Sequence, residues 1–521
     1  MRRPLAVVPA IVVAAVLLIA GCTGGQAGGP VAGLASGPAA TGGAAASPAA
    51  TGQGPTTVAG YYAQKLAWRP CDHGFQCARL LVPFDYSRPA WRRFSLPVIK
   101  LPASDPARRI GSLVLNPGGP GASGITYALE ARKVVSAAVL ARFDVVGFDP
   151  RGVAGSVPAI QCLTGPQLDK YFATSDDPVS KAQLATVVAQ SKLFARGCEQ
   201  RSGALLPYVG TRNAARDMDV LRAALGDAKL TYLGKSYGTY LGAWYAQLFP
   251  SHVRALVLDG AVDPDESAFS MNIVQAQGFE VALRSFTASC VRLQGCPLGN
   301  GTVGAGIARL QGLLNRTASQ PLTSRIAGQP ADSAMLLSGV AFSLYSKSFW
   351  QYLRAGLADA FAGNGTLMVL LADSLTERSP GGQYTNLMDA FMAVSCIDRP
   401  WPRSLTAWSQ AAAAAAKAAP QFGAANMWGS LPCAFWPVPA APTVPLRAAG
   451  APPILVVGTT RDPATPFRWA QALARDLKSG VLLGWNGDGH TAYLEGSSCV
   501  DTAVDRYLIS LATPRSGTIC P

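Results

Sequence analysis

Short apolar runs recur along the chain, and between them lie stretches with helical spacing. The first half predicts strands at Ser112–Asn116, Phe143–Phe148, Leu230–Leu233 and Val253–Leu258, and helices at Thr211–Leu225 and Thr239–Phe249. Strands of continuous apolar character that alternate with amphipathic helices imply a mostly parallel sheet covered on both faces. From about Glu266 to Gln421 helical spacing dominates, broken by turns such as Gly299-Asn300-Gly301 and Ser379-Pro380-Gly381-Gly382. The alanine run Ala411–Ala416, closed by Pro420, reads as helix by propensity. Strand patterns return at Pro453–Gly458 and Gly480–Gly484. The pattern therefore predicts an α/β domain split by a helical insertion, with no internal repeat.

The N-terminus adds a separate region. Arg2 and Arg3 precede an uncharged apolar run, Leu5–Ala20, that ends in Ile19-Ala20-Gly21-Cys22. A basic start, a short apolar run and small residues before a cut site make a secretory signal. The run is short for a membrane span, which needs about 20 residues. A cysteine directly after the small residues resembles a bacterial lipoprotein signal, which implies lipidation of Cys22. Thr23–Gly60 is built mostly of Gly, Ala, Pro, Ser and Thr without a charge, and the next charged residue after Arg3 is Lys65. That composition predicts a tether. The expected organisation is a signal peptide over 1–21, a tether over 22–60, an α/β core over 61–265 and 422–521, and a helical cap over 266–421.

Of 521 residues, 49% are hydrophobic and 14% charged, enough to bury a large core. The 11 cysteines leave an even ten once Cys22 is set aside, as suits an oxidising compartment. Their order suggests pairing between neighbours: Cys71–Cys77, Cys162–Cys198, Cys290–Cys296, Cys396–Cys433 and Cys499–Cys520. No C-x-x-C pair is present and the three histidines lie far apart, so no metal site is expected. The formal net charge is +14, but no dense Lys/Arg run or nucleic-acid motif accompanies it; no nucleic-acid partner is expected.

The strongest local signal is Gly234-Lys235-Ser236-Tyr237-Gly238, a G-x-S-x-G between a predicted strand and a predicted helix. A serine on so sharp a turn needs small residues two before and two after it, and a helix N-terminus beside it favours a developing oxyanion. Ser236 is thus the candidate nucleophile. Among His73, His252 and His490, only His490 lies in a glycine-rich loop after the last apolar strand, and the chain order Ser, Asp, His is that of α/β-hydrolases. The candidate acid is Asp462, after the strand at Pro453–Gly458. Asp488 is a rival, with Asp259 and Asp263 behind it. The oxyanion donors are expected to be the amides of Tyr237, next to the nucleophile, and Gly119, in Asn116-Pro117-Gly118-Gly119-Pro120-Gly121. The stretch Gly119–Gly124 also fits the dinucleotide fingerprint G-x-G-x-x-G. Against that, Asp144 begins a strand where the ribose-binding acid ends one, and Pro120 lacks an N–H. No cofactor is expected.

Asn116–Gly121, Asp149-Pro150-Arg151-Gly152 with Ser156, Gly234–Gly238, Gly458-Thr459-Thr460-Arg461-Asp462-Pro463 and Gly489-His490 together resemble the secreted tripeptidyl aminopeptidases of actinobacteria, relatives of the proline iminopeptidases. The resemblance spans about 110–495. Where proline iminopeptidases have His-Gly-Gly-Pro-Gly, this chain has Pro117 in place of the histidine, as in the tripeptidyl branch. The resemblance implies an α/β-hydrolase fold with a helical cap and a serine exopeptidase that acts on peptides with a free N-terminus. Such an enzyme must bind the substrate ammonium, and Glu280 and Asp398 are the cap candidates. Asp149 and Arg151 read as sheet-end structure. An envelope esterase or lipase would use the same triad, and a lipoprotein that binds peptides without turnover is a third class. Secretion, with a lipid anchor on the extracytoplasmic side of the membrane, is the expected location.

Overall fold

The computed structural model describes residues 54–174 and 177–521. The expected signal peptide, Cys22 and nearly all of the expected tether lie outside the described residues.

Ten strands form one sheet: β1 (Arg69–Pro70), β2 (Gln76–Pro83), β3 (Arg93–Leu101), β4 (Gly111–Asn116), β5 (Phe143–Phe148), β6 (Leu230–Lys235), β7 (Val253–Asp259), β8 (Ile454–Arg461), β9 (Gly480–Asp488) and β10 (Thr518–Cys520). Their spatial order is β1-β2-β3-β5-β4-β6-β7-β8-β9-β10. β1, β2 and β3 pair antiparallel, as do β3 and β5. All pairs from β5 and β4 to β10 are parallel. This is the α/β-hydrolase fold.

The central strands are apolar throughout because both faces are covered. Val114, Val146, Tyr232, Leu256 and Val456 join one core, with the helices Thr211–Ala224, Tyr237–Leu248 and Phe467–Asp476. Their neighbours Leu113, Val145, Leu233, Val257 and Leu455 point the other way, onto the helices Ala137–Arg142 and Ser498–Ser510. The alternation is the period of two expected of a strand.

Between β7 and β8 the chain is helical. Leu283 and Phe286, Leu310 and Leu313, Leu336 and Val340, Leu353 and Leu357, and Met368 come from five successive helices and close a separate core. The alanine run lies in the helix Leu405–Ala418. Helical structure continues past Gln421, through Gly423–Gly429 and the turn Leu431–Phe435. This tail packs on the helix Lys181–Ser202, which the chain inserts between β5 and β6; Val187 there meets Trp408, Met427 and Leu431. The five cysteine pairs suggested by order are all disulfides. Among the described residues no helix is long and apolar enough to cross a membrane.

Arg151 pins the antiparallel edge to the rest. It and Asp217 are fully buried. Its Nε and Nη2 donate to the two Asp217 oxygens, and its other donors reach the carbonyls of Pro83, Phe84 and Tyr208. Asp149, two residues earlier, accepts from the Ser123 hydroxyl and the Ile125 and Gly155 amides. These groups belong to the frame. Arg151→Met should cost about 3–5 kcal/mol in urea unfolding, because it strands a buried carboxylate; a cost below about 1 kcal/mol would contradict this role.

Candidate active site

The carboxyl ends of β4, β6, β8 and β9 lie at one end of the parallel sheet, and each delivers one part of the site. Ser236 links β6 to the helix Tyr237–Leu248 with φ 55° and ψ −126°. Side chains other than glycine rarely adopt this conformation, which costs about 1–3 kcal/mol and is held by its surroundings. Its N–H donates to the Asp259 carbonyl at 2.9 Å. The flanking glycines are sterically required: a Cβ at Gly234 would lie 2.4 Å from the Gly238 carbonyl oxygen, and one at Gly238 would lie 2.8 Å from Asn116 Oδ1.

The loop after β4 presses on this turn. Gly118 has φ 97°, and a Cβ there would meet the Lys235 carbonyl oxygen at 2.6 Å, Ser236 Cβ at 2.9 Å and the Tyr237 nitrogen at 3.1 Å. Asn116 Oδ1 accepts the Gly118 N–H at 3.0 Å and so curls the loop. The Tyr237 N–H opens a helix, where no carbonyl four residues earlier in the helix can take it. Gly119, the other expected oxyanion donor, is the next residue in this loop.

His490 follows β9. Its Nδ1 lies 2.9 and 3.0 Å from the two oxygens of Asp462. The Asp462 side chain is fully buried and the His490 side chain 9% exposed. Asp462 also accepts the amides of Ala464, Thr465 and Thr491 and the Thr465 hydroxyl. A carboxylate so placed fixes the proton on Nδ1 and leaves Nε2 as the base. Nε2 is buried and has no hydrogen-bond partner among the described residues, so the bond to Ser236 is not made here. Such bonds often tighten only when substrate is bound. The cap holds the base from above: the Tyr345 carbonyl accepts the His490 N–H at 2.7 Å, and the Tyr345 ring stands edge-on at 5.2 Å.

The rival acids are engaged elsewhere. Asp488 pairs with Arg461 at 2.6 Å and accepts from Ser285 at 2.5 Å. Burial pushes its pKa up, but these contacts outweigh it and hold it low. Asp259 accepts the amides of Ala492 and Tyr493, and Asp263 that of Asp265. His252 bonds Asp219 and His73 pairs with Asp72, outside the site.

The two amine candidates differ. Glu280 is buried within the cap, where its carboxylate takes the Gln421 N–H and faces the Gln421 side-chain amide. On the same helix, Gln275 reaches the Ala464 carbonyl and Ser285 reaches Asp488. At 3.6 residues per turn Glu280 points well away from both. Asp398, at the end of the cap helix Leu387–Asp398, instead accepts the Thr211 N–H at 2.8 Å and the Thr211 hydroxyl, and that hydroxyl also bonds the Tyr237 hydroxyl. One bridging side chain therefore joins Asp398 to the residue after the nucleophile. Burial pushes the Asp398 pKa up to about 6, against the Thr211 bonds and the nearby Arg399. Thr211, Thr465 and Tyr345 carry no motif that marks them in the sequence. Among the described residues, no group of three histidine, cysteine or acidic side chains could hold a metal ion.

Residues 419–520 match the family described as TAP-like protein. Serine protease Hip1 of Mycobacterium tuberculosis is 40% identical over 479 residues, which cover 88% of this chain and 91% of that protein. The chain belongs to the TAP-like family of serine hydrolases. Carboxylesterase B of Mycobacterium tuberculosis is 38% identical over 90% of this chain and 92% of its own length. Tripeptidyl aminopeptidase of Streptomyces coelicolor is 34% identical over 85% of this chain and 83% of its own length. TAP-like relatives of similar identity thus carry both peptidase and esterase names.

The two acids near His490 give a direct contrast. Asp462→Asn should lower kcat by roughly 10⁴-fold through loss of the tautomer, whereas Asp488→Asn should stay within about tenfold of wild type. Equal losses in steady-state assays would contradict the assignment.

Proposed function

We propose that this hydrolase is a secreted exopeptidase that releases short peptides, tripeptides in particular, from free N-termini. Ser236 attacks the scissile carbonyl. His490 takes its proton through Nε2 and returns it to the leaving amine, while Asp462 holds the imidazole and stabilises the imidazolium. The amides of Tyr237 and Gly119 receive the oxyanion, and water then releases the acyl-enzyme. Cys22 carries the lipid that anchors the chain on the outer face of the membrane, with 22–60 as tether. Cys22→Ser would then move the protein from the detergent phase to the aqueous phase on partitioning; retention in the detergent phase would refute the anchor.

One observation carries the peptidase reading: a carboxylate, Asp398, linked through Thr211 to the residue beside the nucleophile. A substrate ammonium against it makes a charge-assisted contact of a kind an ester substrate lacks. The name of the carboxylesterase relative favours the second reading, an envelope esterase or lipase with the same triad.

A tripeptide anilide with a free amine should be cleaved and its N-acetylated twin should not. Asp398→Asn should raise KM for the free amine by about 10- to 100-fold, the loss of one hydrogen bond to a charged group. Because a carboxyl is charged only above its pKa, the anchor is present above pH about 6 and lost below it, so KM should climb as pH falls through that value. Ester cleavage with neither anilide turned over would favour the esterase.

A further inference from the structure

Asp259 ends β7 and is completely buried, with no place in the triad just described. Its main chain and its side chain act on opposite halves of the catalytic machinery. The carbonyl accepts the Ser236 N–H at 2.9 Å. The carboxylate accepts the Ala492 N–H at 2.9 and 3.1 Å and the Tyr493 N–H at 3.0 Å, two and three residues beyond His490. Between these anchor points Thr491 has φ 71°, a conformation a β-branched residue adopts only when held. Its N–H goes to Asp462 and its carbonyl accepts the Thr459 hydroxyl. The imidazole lies directly over this junction: a Cβ on Gly260, the residue after Asp259, would stand 3.1 Å from His490 Cε1.

A buried carboxylate needs compensation. The Ala492 and Tyr493 amides supply part of it, and the Lys235 ammonium, on the β6 residue in register with Asp259 and just before Ser236, adds its charge. It donates to the Tyr493 carbonyl at 3.3 Å and lies 3.9 Å from Glu495. Burial alone would lower the Lys235 pKa, but Tyr127, Glu495 and Asp259 around it raise it instead, so it stays charged. The charged and titratable groups near His490 are Asp462, Asp259 and Glu495, with Lys235 beside the last two and the Tyr345 ring at its edge.

We propose that Asp259 is a positioning residue that fixes the His490 loop in register with the Ser236 turn, with Lys235 as its counter-ion. It acts through other residues and touches no substrate. The proposal rests on the assignment of Ser236 and His490 as the reacting pair. Its logic is mechanical and electrostatic. One buried residue ties together the two loops that carry the reacting side chains, and its carboxylate, when charged, favours the imidazolium that forms when Ser236 is deprotonated.

The test is Asp259→Asn, run beside Ser236→Ala and with active sites counted by a phosphonate titrant. Asparagine keeps the shape but turns one acceptor into a donor against backbone N–H groups. Per titrated site, kcat should fall on the order of tenfold or more, since a misplacement of about 1 Å can cost roughly a hundredfold. KM should hold within about twofold, and the acid limb of the kcat/KM profile should move to lower pH by about half a unit. A variant with fewer titratable sites but unaltered kcat per site and an unmoved acid limb would show that Asp259 only supports the fold, and would overturn the proposal. If Asp259→Asn does not accumulate, Lys235→Met tests the same charges from the other side. Removal of the cation should move the acid limb to higher pH, and an unmoved limb would again overturn it. Activity that survives Ser236→Ala would instead mean that the reading of the reacting pair has failed, a result separable from every outcome above.

Discussion

The turn at Ser236 places a side chain at φ 55° between a buried strand and a buried helix, and most of the site follows from that one constraint. Such a backbone persists only where its neighbours leave no alternative. Gly234 and Gly238 let the two limbs of the turn approach, and the loop at Gly118 packs against its outer side at distances no Cβ would tolerate. The same conformation lifts the hydroxyl clear of the sheet and begins a helix whose first amides point back at it. The candidate nucleophile and the expected oxyanion donor at Tyr237 therefore arise from one backbone turn, with Gly119 approaching on the loop after β4.

The base is fixed from three directions. Asp462 grips the ring from the end of β8, Asp259 grips the following peptides from the end of β7, and the Tyr345 carbonyl in the cap takes the histidine's own N–H. Two of these anchors belong to the sheet and one to the helical insertion. The helical insertion thus helps to hold His490 in place. The cap helix that ends at Asp398 reaches the other side of this turn through Thr211, so the proposed amine anchor and the side chain of Tyr237, next to Ser236, share one hydrogen-bond chain.

Much of this was legible in the sequence because local chemistry dictated it. The apolar runs became β4 to β9 with ends displaced by only a few residues, since strands buried on both faces have no polar positions to confuse the pattern. The G-x-S-x-G and the glycine-rich loops were readable because few residue types fit such backbones. Strands β2 and β3 were not singled out. β3 is interrupted by Pro97 and Lys100, and β2 opens with Gln76 and the exposed Arg79 beside a disulfide, so each is only partly apolar. β10, three residues long, has no pattern to read. The two amine candidates looked alike as cap acids; only tertiary contacts separate Glu280, held by Gln421, from Asp398, held by Thr211. Asp259 was readable as an acid at a strand end but not as a tie between two loops, because its partners are more than 230 residues away. Tyr345 acts through its carbonyl, which no sequence motif records.

The claim on which everything else stands is that one serine on this turn reacts with the help of His490. A fluorophosphonate probe tests it without any assumption about substrate. Intact protein mass should show one adduct per chain, peptide mapping should place it on Ser236, and His490→Ala should slow labelling by orders of magnitude. An adduct on another residue, or labelling of Ser236 that proceeds unchanged without His490, would contradict the account.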